Sequence, residues 1–154
     1  MSLAQVKTQR ILPVQPDWGW LRFHYEGEGV LAFDQKITSF SRRVKGKFVY
    51  LATPFLEHEV GQWQAAKCAA MWQSRLAERK ILCHSPAVEA WRAETSRGAF
   101  GVMDGVLPDC RKMLAESKLV VVPPMKGWDQ SEDVWAAVQA AILMGRPIHV
   151  LKAD

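Results

Sequence analysis

Four short apolar runs, separated by segments of helical periodicity, constrain the fold of this 154-residue chain more than any other feature. The runs cover residues 47–52, 81–84, 118–122 and 148–151. A continuous apolar run is typical of a strand that is buried on both faces, and its alternation with helices is typical of a parallel sheet. The pattern predicts an α/β domain with a Rossmann-like, flavodoxin-type parallel sheet flanked by helices.

Three segments between these runs are predicted to be helices. Residues 59–79 have the clearest helical period, and residues 108–116 begin with a proline at a favourable first-turn position. The third helix, residues 131–144, begins at Ser131, which can cap it, and ends before Gly145, a residue suited to a helix C-cap.

The chain divides into an N-terminal arm, residues 1–46, and an α/β domain, residues 47–154. Within the arm, residues 18–25 and 30–33 are rich in aromatic side chains and flank a glycine-containing turn, which predicts a β-hairpin. In the domain, Gly98 and Gly101 within residues 87–104, and Gly105 just after them, indicate a loop that could cover a site.

Composition excludes several classes of protein. Hydrophobic residues make up 49% and charged residues 23% of the chain, as in ordinary globular domains. No apolar run is long enough to span a bilayer, and the N-terminus lacks the apolar region of a signal peptide, so we expect a cytoplasmic protein without membrane contact. Three widely spaced cysteines, Cys68, Cys83 and Cys110, form no ligand pair, so we expect reduced thiols, no metal site and no cofactor.

The net charge of +4 is concentrated near the start of the chain. Residues 1–47 hold eight Lys and Arg against four Asp and Glu. Nucleic acid could bind through Arg42, Arg43, Lys45 and Lys47, but we do not favour that partner, because a short basic run is more often a solvated linker.

The first run of the domain ends in a rigid turn, and such a turn marks a candidate ligand site. Residues 47–55 read KFVYLATPF, in which the strand stops at Thr53 and Pro54. Open α/β sheets bind their ligands just outside the carboxyl ends of the strands. His84 ends the next strand and could contact the same ligand, or it could be an ordinary strand-end histidine. Trp128 could stack on a base, or it could simply pack in the core.

Four motifs in order resemble the nucleoside 2-deoxyribosyltransferase-like superfamily, and the nearest resemblance is to a branch of uncharacterised bacterial and phage proteins. The motifs are YLATPF (50–55), HSP (84–86), the PD…L…LVVV block (108–122) and GWDQS…A…MGRPI (127–148). The resemblance covers residue 47 to the C-terminus. It implies cleavage or transfer of the N-glycosidic bond of deoxynucleosides or their 5′-monophosphates.

The resemblance also implies roles for single residues. Tyr50, Thr53 and Pro54 would line the base and sugar pocket, and Asp109 would help to hold the substrate. Ser131 matches the opening of the last helix. The nucleophilic Glu of the family falls at Ala137, which cannot supply a carboxylate. Asp133 replaces the family's Gly one turn earlier and could stand in for that carboxylate, or it could serve only the helix dipole.

These observations leave three hypotheses. The first is a nucleoside- or nucleotide-processing protein whose transferase or hydrolase activity is weak or lost. The second is an inactive nucleotide-binding protein, and the third is a nucleic-acid or protein interaction module that uses the basic arm. Family members commonly complete the site across a subunit interface. Since Trp63 and Trp72 cannot share one narrow face of their helix, we expect a homodimer that buries whichever is exposed.

Overall fold

Five short strands form one parallel sheet. The computed structural model describes residues 11–55, 61–96 and 110–153. All neighbouring strands of the sheet run parallel, in the order β1-β5-β4-β2-β3. The strands are β1 (Leu31–Gln35), β2 (Phe48–Leu51), β3 (Leu82–His84), β4 (Leu119–Val122) and β5 (Ile148–Leu151). The predicted Rossmann-like parallel fold is therefore confirmed, and its four predicted strands are parallel within one sheet.

Six helices accompany the strands in the described part of the chain. They are α1 (Trp18–Tyr25), α2 (Ile37–Val44), α3 (Gln62–Glu78), α4 (Pro86–Ser96), α5 (Cys110–Ala115) and α6 (Glu132–Met144). A single 3₁₀ turn, Trp128–Gln130, precedes α6. None of these helices is both long enough and apolar enough to cross a membrane.

The strand order has the flavodoxin-type arrangement with one strand taken from the start of the chain. Counted from β2, the order across the sheet is second, first, third, fourth, and β1 then occupies the fifth position. The direction of chain progression reverses between β2 and β4. In sheets of this kind, ligands bind at that reversal, outside the carboxyl ends of the two strands.

Both faces of the sheet are buried, as the apolar composition of the strands requires. On one face, Tyr50 and Val120 pack with side chains of α1, α5 and α6. On the other face, Val49 and Val121 pack with side chains of α2 and α3. Helix α4 packs on α3 through a third cluster of small side chains that also contains Phe55.

The β-hairpin predicted for residues 18–33 is wrong. Residues 18–25 form α1, which begins at the N-cap Asp17, whose Oδ1 accepts a hydrogen bond of 2.9 Å from the backbone N–H of Trp20. The second half of the proposed hairpin is β1, which pairs parallel with β5 instead of antiparallel with its neighbour in sequence. Aromatic residues favoured the strand assignment, but here tertiary packing decided: Leu21 is fully buried in the core.

The described part of the N-terminal arm is joined to α6 by hydrogen bonds as well as by apolar contacts. The backbone carbonyl of Pro13 accepts from Nε1 of Trp135 at 2.8 Å and from Nε2 of Gln139 at 2.9 Å. Trp18 packs edge-on against Trp135 and Trp128, with centroid distances of 5.6 and 4.8 Å. The arm thereby covers the outer side of α6, and Trp135 is almost completely buried.

The predicted loop at residues 87–104 is partly wrong. Residues up to Ser96 belong to α4, and residues 97–109 lie outside the described residues. The Oγ of Ser85 accepts a hydrogen bond from the N–H of Val88 at 3.3 Å, and Pro86 occupies the first helical position. This cap and proline are the ordinary start of a helix. The loop was predicted because Gly98, Gly101 and Gly105 follow this segment, and glycine is typical of loops.

Cys68 and Cys83 are free thiols, as expected. Burial raises the pKa of Cys83 to about 12, so this thiol stays protonated at neutral pH.

His149 makes the stability of the fold sensitive to acid. Burial first, and then the charges of Arg43 and Lys47, lower its pKa to about 4, and its Nδ1 is buried without a hydrogen-bond partner. Between about pH 6.5 and about pH 4, His149 is protonated in the unfolded chain but not in the folded protein. We expect the free energy of unfolding to fall over this interval, and His149→Phe to flatten that slope in urea titrations at stepped pH. An unchanged slope in the variant would contradict this assignment.

Trp63 is 55% exposed on α3, whereas Trp72 is 7% exposed, so one of the pair is exposed as expected. Met71, two turns along the helix, is also exposed. The homodimer that would bury Trp63 stays a prediction. We expect light scattering to give a dimer mass for the wild type and a monomer mass for Trp63→Gln. The control is Phe23→Gln, which removes an exposed aromatic side chain from α1. A monomeric wild type at all concentrations would contradict the prediction.

Candidate functional site

The candidate site is a crevice at the carboxyl edge of the sheet, where β2 and β4 end side by side. After β2 the chain continues as Ala52-Thr53-Pro54-Phe55, and all four residues are buried. After β4 it turns through Pro123 and Pro124 toward α6. This is the point where the strand order reverses, so two chain segments diverge and leave a gap between them.

Two hydrogen bonds fix the segment after β2. The N–H of Ala52 donates to the carbonyl of Val121 at 2.9 Å, which extends the pairing with β4 by one residue. The N–H of Phe55 donates to Oδ2 of Asp133 at 3.0 Å. Thr53 and Pro54 therefore lie between one residue that is hydrogen-bonded to the sheet and one that is hydrogen-bonded to α6. These two bonds fix the position of their backbone.

The first turn of α6 forms the other wall of the crevice. Ser131 is its N-cap, and the Oγ of Ser131 accepts from the N–H of Val134 at 3.2 Å, as predicted. Glu132 points to solvent, whereas Asp133 is half-buried and turns toward the sheet. A carboxylate in the first turn is favoured by the helix dipole, and it also satisfies the N–H of Phe55. Asp133 thus has a clear structural role.

A cavity of about 10 Å³ lies between these two walls. This is roughly the space of one water molecule. Its lining consists of Tyr50, Leu51, Ala52, Thr53, Pro86, Ala87 and Asp133. Thr53 is 6% exposed, and its Oγ1 has no hydrogen-bond partner among the described protein atoms. Burial of an unpaired hydroxyl costs free energy, so this atom is the chemical feature of the cavity that packing does not explain.

The structure brings three of the predicted site residues to this cavity: Tyr50, Thr53 and Asp133. Pro54 lies in the same segment without lining the cavity, and Ser131 is used as a helix cap. The substrate and catalytic roles of these five residues stay predictions.

Two further predicted residues, His84 and Trp128, do not line the cavity. His84 Nε2 lies 3.0 Å from Oε2 of Glu116, and its ring packs on Phe48. Trp128 packs against Trp18, as expected if this residue packs in the core instead of stacking on a base. Asp109 lies outside the described residues.

Ala137, where the motif resemblance would place a nucleophile, is 2% exposed and belongs to the apolar cluster on this face of the sheet. It does not line the cavity. A longer acidic side chain at this position would have to displace core side chains or carry its charge into them.

Sequence reasoning missed Pro86 and Ala87, which line the cavity from the first turn of α4. The sequence Ser85-Pro86 carries a helix-start signal that places residue 87 in a first turn beside the end of β3, and it could have identified both. Within residues 11–55, 61–96 and 110–153, no three His, Cys, Asp or Glu side chains come together in a way that could hold a metal ion.

Comparison with known proteins gives a family without an assigned activity. No curated protein and no solved structure matched the sequence. The profile described as "Domain of unknown function (DUF1937)" matches residues 47–153, which is the part of the chain from the start of β2 through β5. Over two-thirds of its length, therefore, this chain belongs to the DUF1937 family.

Proposed function

We propose that this protein binds a nucleoside or nucleotide in the crevice at the carboxyl edge of the sheet, and that it turns its ligand over weakly or not at all. The observation that carries the proposal is the buried, unpaired hydroxyl of Thr53, which lies on the cavity at the strand-order reversal. A ligand that hydrogen-bonds to this hydroxyl would remove the cost of its burial. The motif resemblance to nucleoside 2-deoxyribosyltransferase-like proteins supplies the ligand class.

The size of the cavity limits how the ligand would bind. Small-molecule sites usually enclose roughly 300 Å³ or more. The cavity beside Thr53 holds only a water-sized group. The proposal therefore places one polar group of the ligand beside Thr53, and the remainder outside the strand ends.

The chemistry of α6 argues for weak or absent catalysis. Glycosyl transfer through a covalent intermediate needs a carboxylate against the anomeric carbon. Residue 137 supplies only a buried methyl group. Asp133 has a carboxylate, but its Oδ2 already accepts a hydrogen bond from the N–H of Phe55. This bond favours a role in which Asp133 positions the segment after β2 rather than one in which it attacks a substrate.

The first test separates binding from stability at Thr53. We expect Thr53→Val to weaken binding of deoxynucleosides or their 5′-monophosphates about threefold to tenfold, the value of one neutral hydrogen bond. The same change should leave the free energy of unfolding unchanged or raise it by up to about 1 kcal/mol, because it removes an unpaired buried hydroxyl. Isothermal titration calorimetry and urea unfolding measure the two effects.

The matched control is Thr38→Val, which makes the same substitution in the first turn of α2, after β1, which β5 and β4 separate from β2 in the sheet. It should leave ligand affinity unchanged. Absence of binding by the wild type, or equal affinity in wild type and Thr53→Val, would contradict the proposal.

The second test concerns turnover. A missing nucleophile removes several kcal/mol of transition-state stabilisation, roughly the size of the effects seen when catalytic side chains are deleted. We expect a base-release assay on deoxynucleosides and their 5′-monophosphates to show little product from the wild type and none from Asp133→Asn. Robust turnover that survives Asp133→Asn would show that the chemistry lies elsewhere.

Restoring the carboxylate with Ala137→Glu completes this test. The substitution enters a buried position, so we expect it to lower the free energy of unfolding by at least about 1–3 kcal/mol through overpacking alone. Ala136→Glu is the control, because residue 136 is exposed on the same helix. A gain of base release in folded Ala137→Glu, with no gain in Ala136→Glu, would support a nucleoside pocket that has lost its nucleophile.

A further inference from the structure

Two basic segments from different parts of the sequence meet at the amino edge of the sheet, opposite the crevice. Helix α2 ends just before β2, and α3 ends just before β3, so both C-terminal ends lie at this edge. The N–H of Gly46 donates to the carbonyl of Lys80 at 3.4 Å and joins the two connections. The sequence alone presents the first basic segment as a linker; the structure places a second one beside it.

Between the two connections lies an open groove of about 340 Å³. It is lined by Ser41, Arg42, Lys45, Glu78, Arg79 and Lys80. The four basic side chains are exposed, and Glu78 supplies one carboxylate against them. Ser41 is buried and donates its hydroxyl to the carbonyl of Thr38. The groove therefore carries a clear excess of positive charge on flexible side chains.

Helix geometry alone does not account for this arrangement. A cation in the last turn of a helix is favoured by the helix dipole, and this preference acts on α2 and α3 separately. It gives no reason for the cations of both helices to face one groove, where like charges repel. An anion in the groove would remove that repulsion.

The positive field is not confined to the groove. Arg43 and Lys47 flank it in sequence, and both help to lower the pKa of buried His149, after the larger effect of burial. Arg43 is held in place by a hydrogen bond to the side chain of Gln35. Gln35 ends β1 at the carboxyl edge, so of these two cations it is Lys47, directly before β2, that adds to the charge at the amino edge.

We propose that this groove, together with Lys47, binds the phosphodiester backbone of nucleic acid without reading its sequence. Among the described residues, the lining contains no aromatic side chain for stacking on bases, so the proposed contacts are to phosphates. It also contains no large apolar side chain that could insert into a lipid surface, which membrane-binding faces combine with their cations. The groove is open and its cations are flexible, which suits a repeating backbone better than one enclosed phosphate ion.

The salt dependence of binding tests this proposal. Fluorescence anisotropy with a labelled duplex of about 20 base pairs should give an affinity that falls about a hundredfold between about 50 and 200 mM salt, as expected when about four phosphates are neutralised. The double variant Arg42→Gln with Arg79→Gln should bind more weakly at every salt concentration. Its fall over the same interval should be only about tenfold, since it neutralises about two phosphates fewer.

The control is Arg111→Gln with Lys112→Gln, which removes the same charge from exposed positions of α5, on the opposite face of the sheet. It should retain the affinity and salt slope of the wild type. Thermal unfolding followed by circular dichroism establishes that each variant is folded. Duplexes of unrelated sequence should bind equally well.

Four results would overturn the proposal. The first two are no binding by the wild type at low salt and an equal loss of binding in both double variants. The third is competition by inorganic phosphate at a concentration equal to that of the phosphate groups in the duplex. The fourth is binding to vesicles of anionic phospholipid without binding to nucleic acid. Because the groove and the crevice lie at opposite edges of the sheet, failure here leaves the Thr53 tests unaffected.

Discussion

Burial of both faces of the parallel sheet is the requirement on which the rest of the structure depends. The side chains of β4 are all buried, and they alternate between the two apolar clusters. Parallel neighbours cannot be joined by tight turns, so each crossover must be long enough to return the chain to the same edge. The crossovers supply the covering helices. They also deliver every strand end to one edge and every strand start to the other.

Helix α6 contacts three separate parts of the structure: the sheet, the crevice and the arm. Its apolar side covers the central strands, its first turn closes the crevice through Asp133, and its outer side binds the arm through Trp135 and Gln139. Both of its ends are capped, by the hydroxyl of Ser131 and by Gly145 at a φ of 71°. A well-capped helix can hold its position while several segments depend on it.

The sequence was sufficient for the strands β2 to β5 and for the start and end of α6. Apolar runs such as Leu119–Val122 have one stable environment, the middle of a covered parallel sheet, so local pattern and tertiary structure agree there. The caps Ser131 and Gly145 were equally readable because capping is a local interaction. The crevice followed from the topology, and Tyr50, Thr53 and Asp133 followed from motif positions.

The arm and α4 were not predicted, for different physical reasons. Helix α1 is rich in aromatic side chains, which suit a strand equally well, and only its contact with α6 decides the matter. The pairing of β1 with β5 joins residues more than one hundred positions apart, which no local pattern reveals. For α4, the Ser85-Pro86 signal was present but was outweighed by the glycines that follow. The basic groove needed the structure, because its cations come from two segments.

The position of α6 between the arm and the crevice has a consequence for how they respond to each other. The carbonyl of Pro13 fixes α6 from outside, and Asp133 fixes the segment after β2 from the same helix. No residue of 11–25 lines the cavity, yet release of the arm would loosen the helix that forms one of its walls. Under the proposed function, arm docking and ligand binding in the crevice would be linked equilibria, and each would strengthen the other by the same free energy.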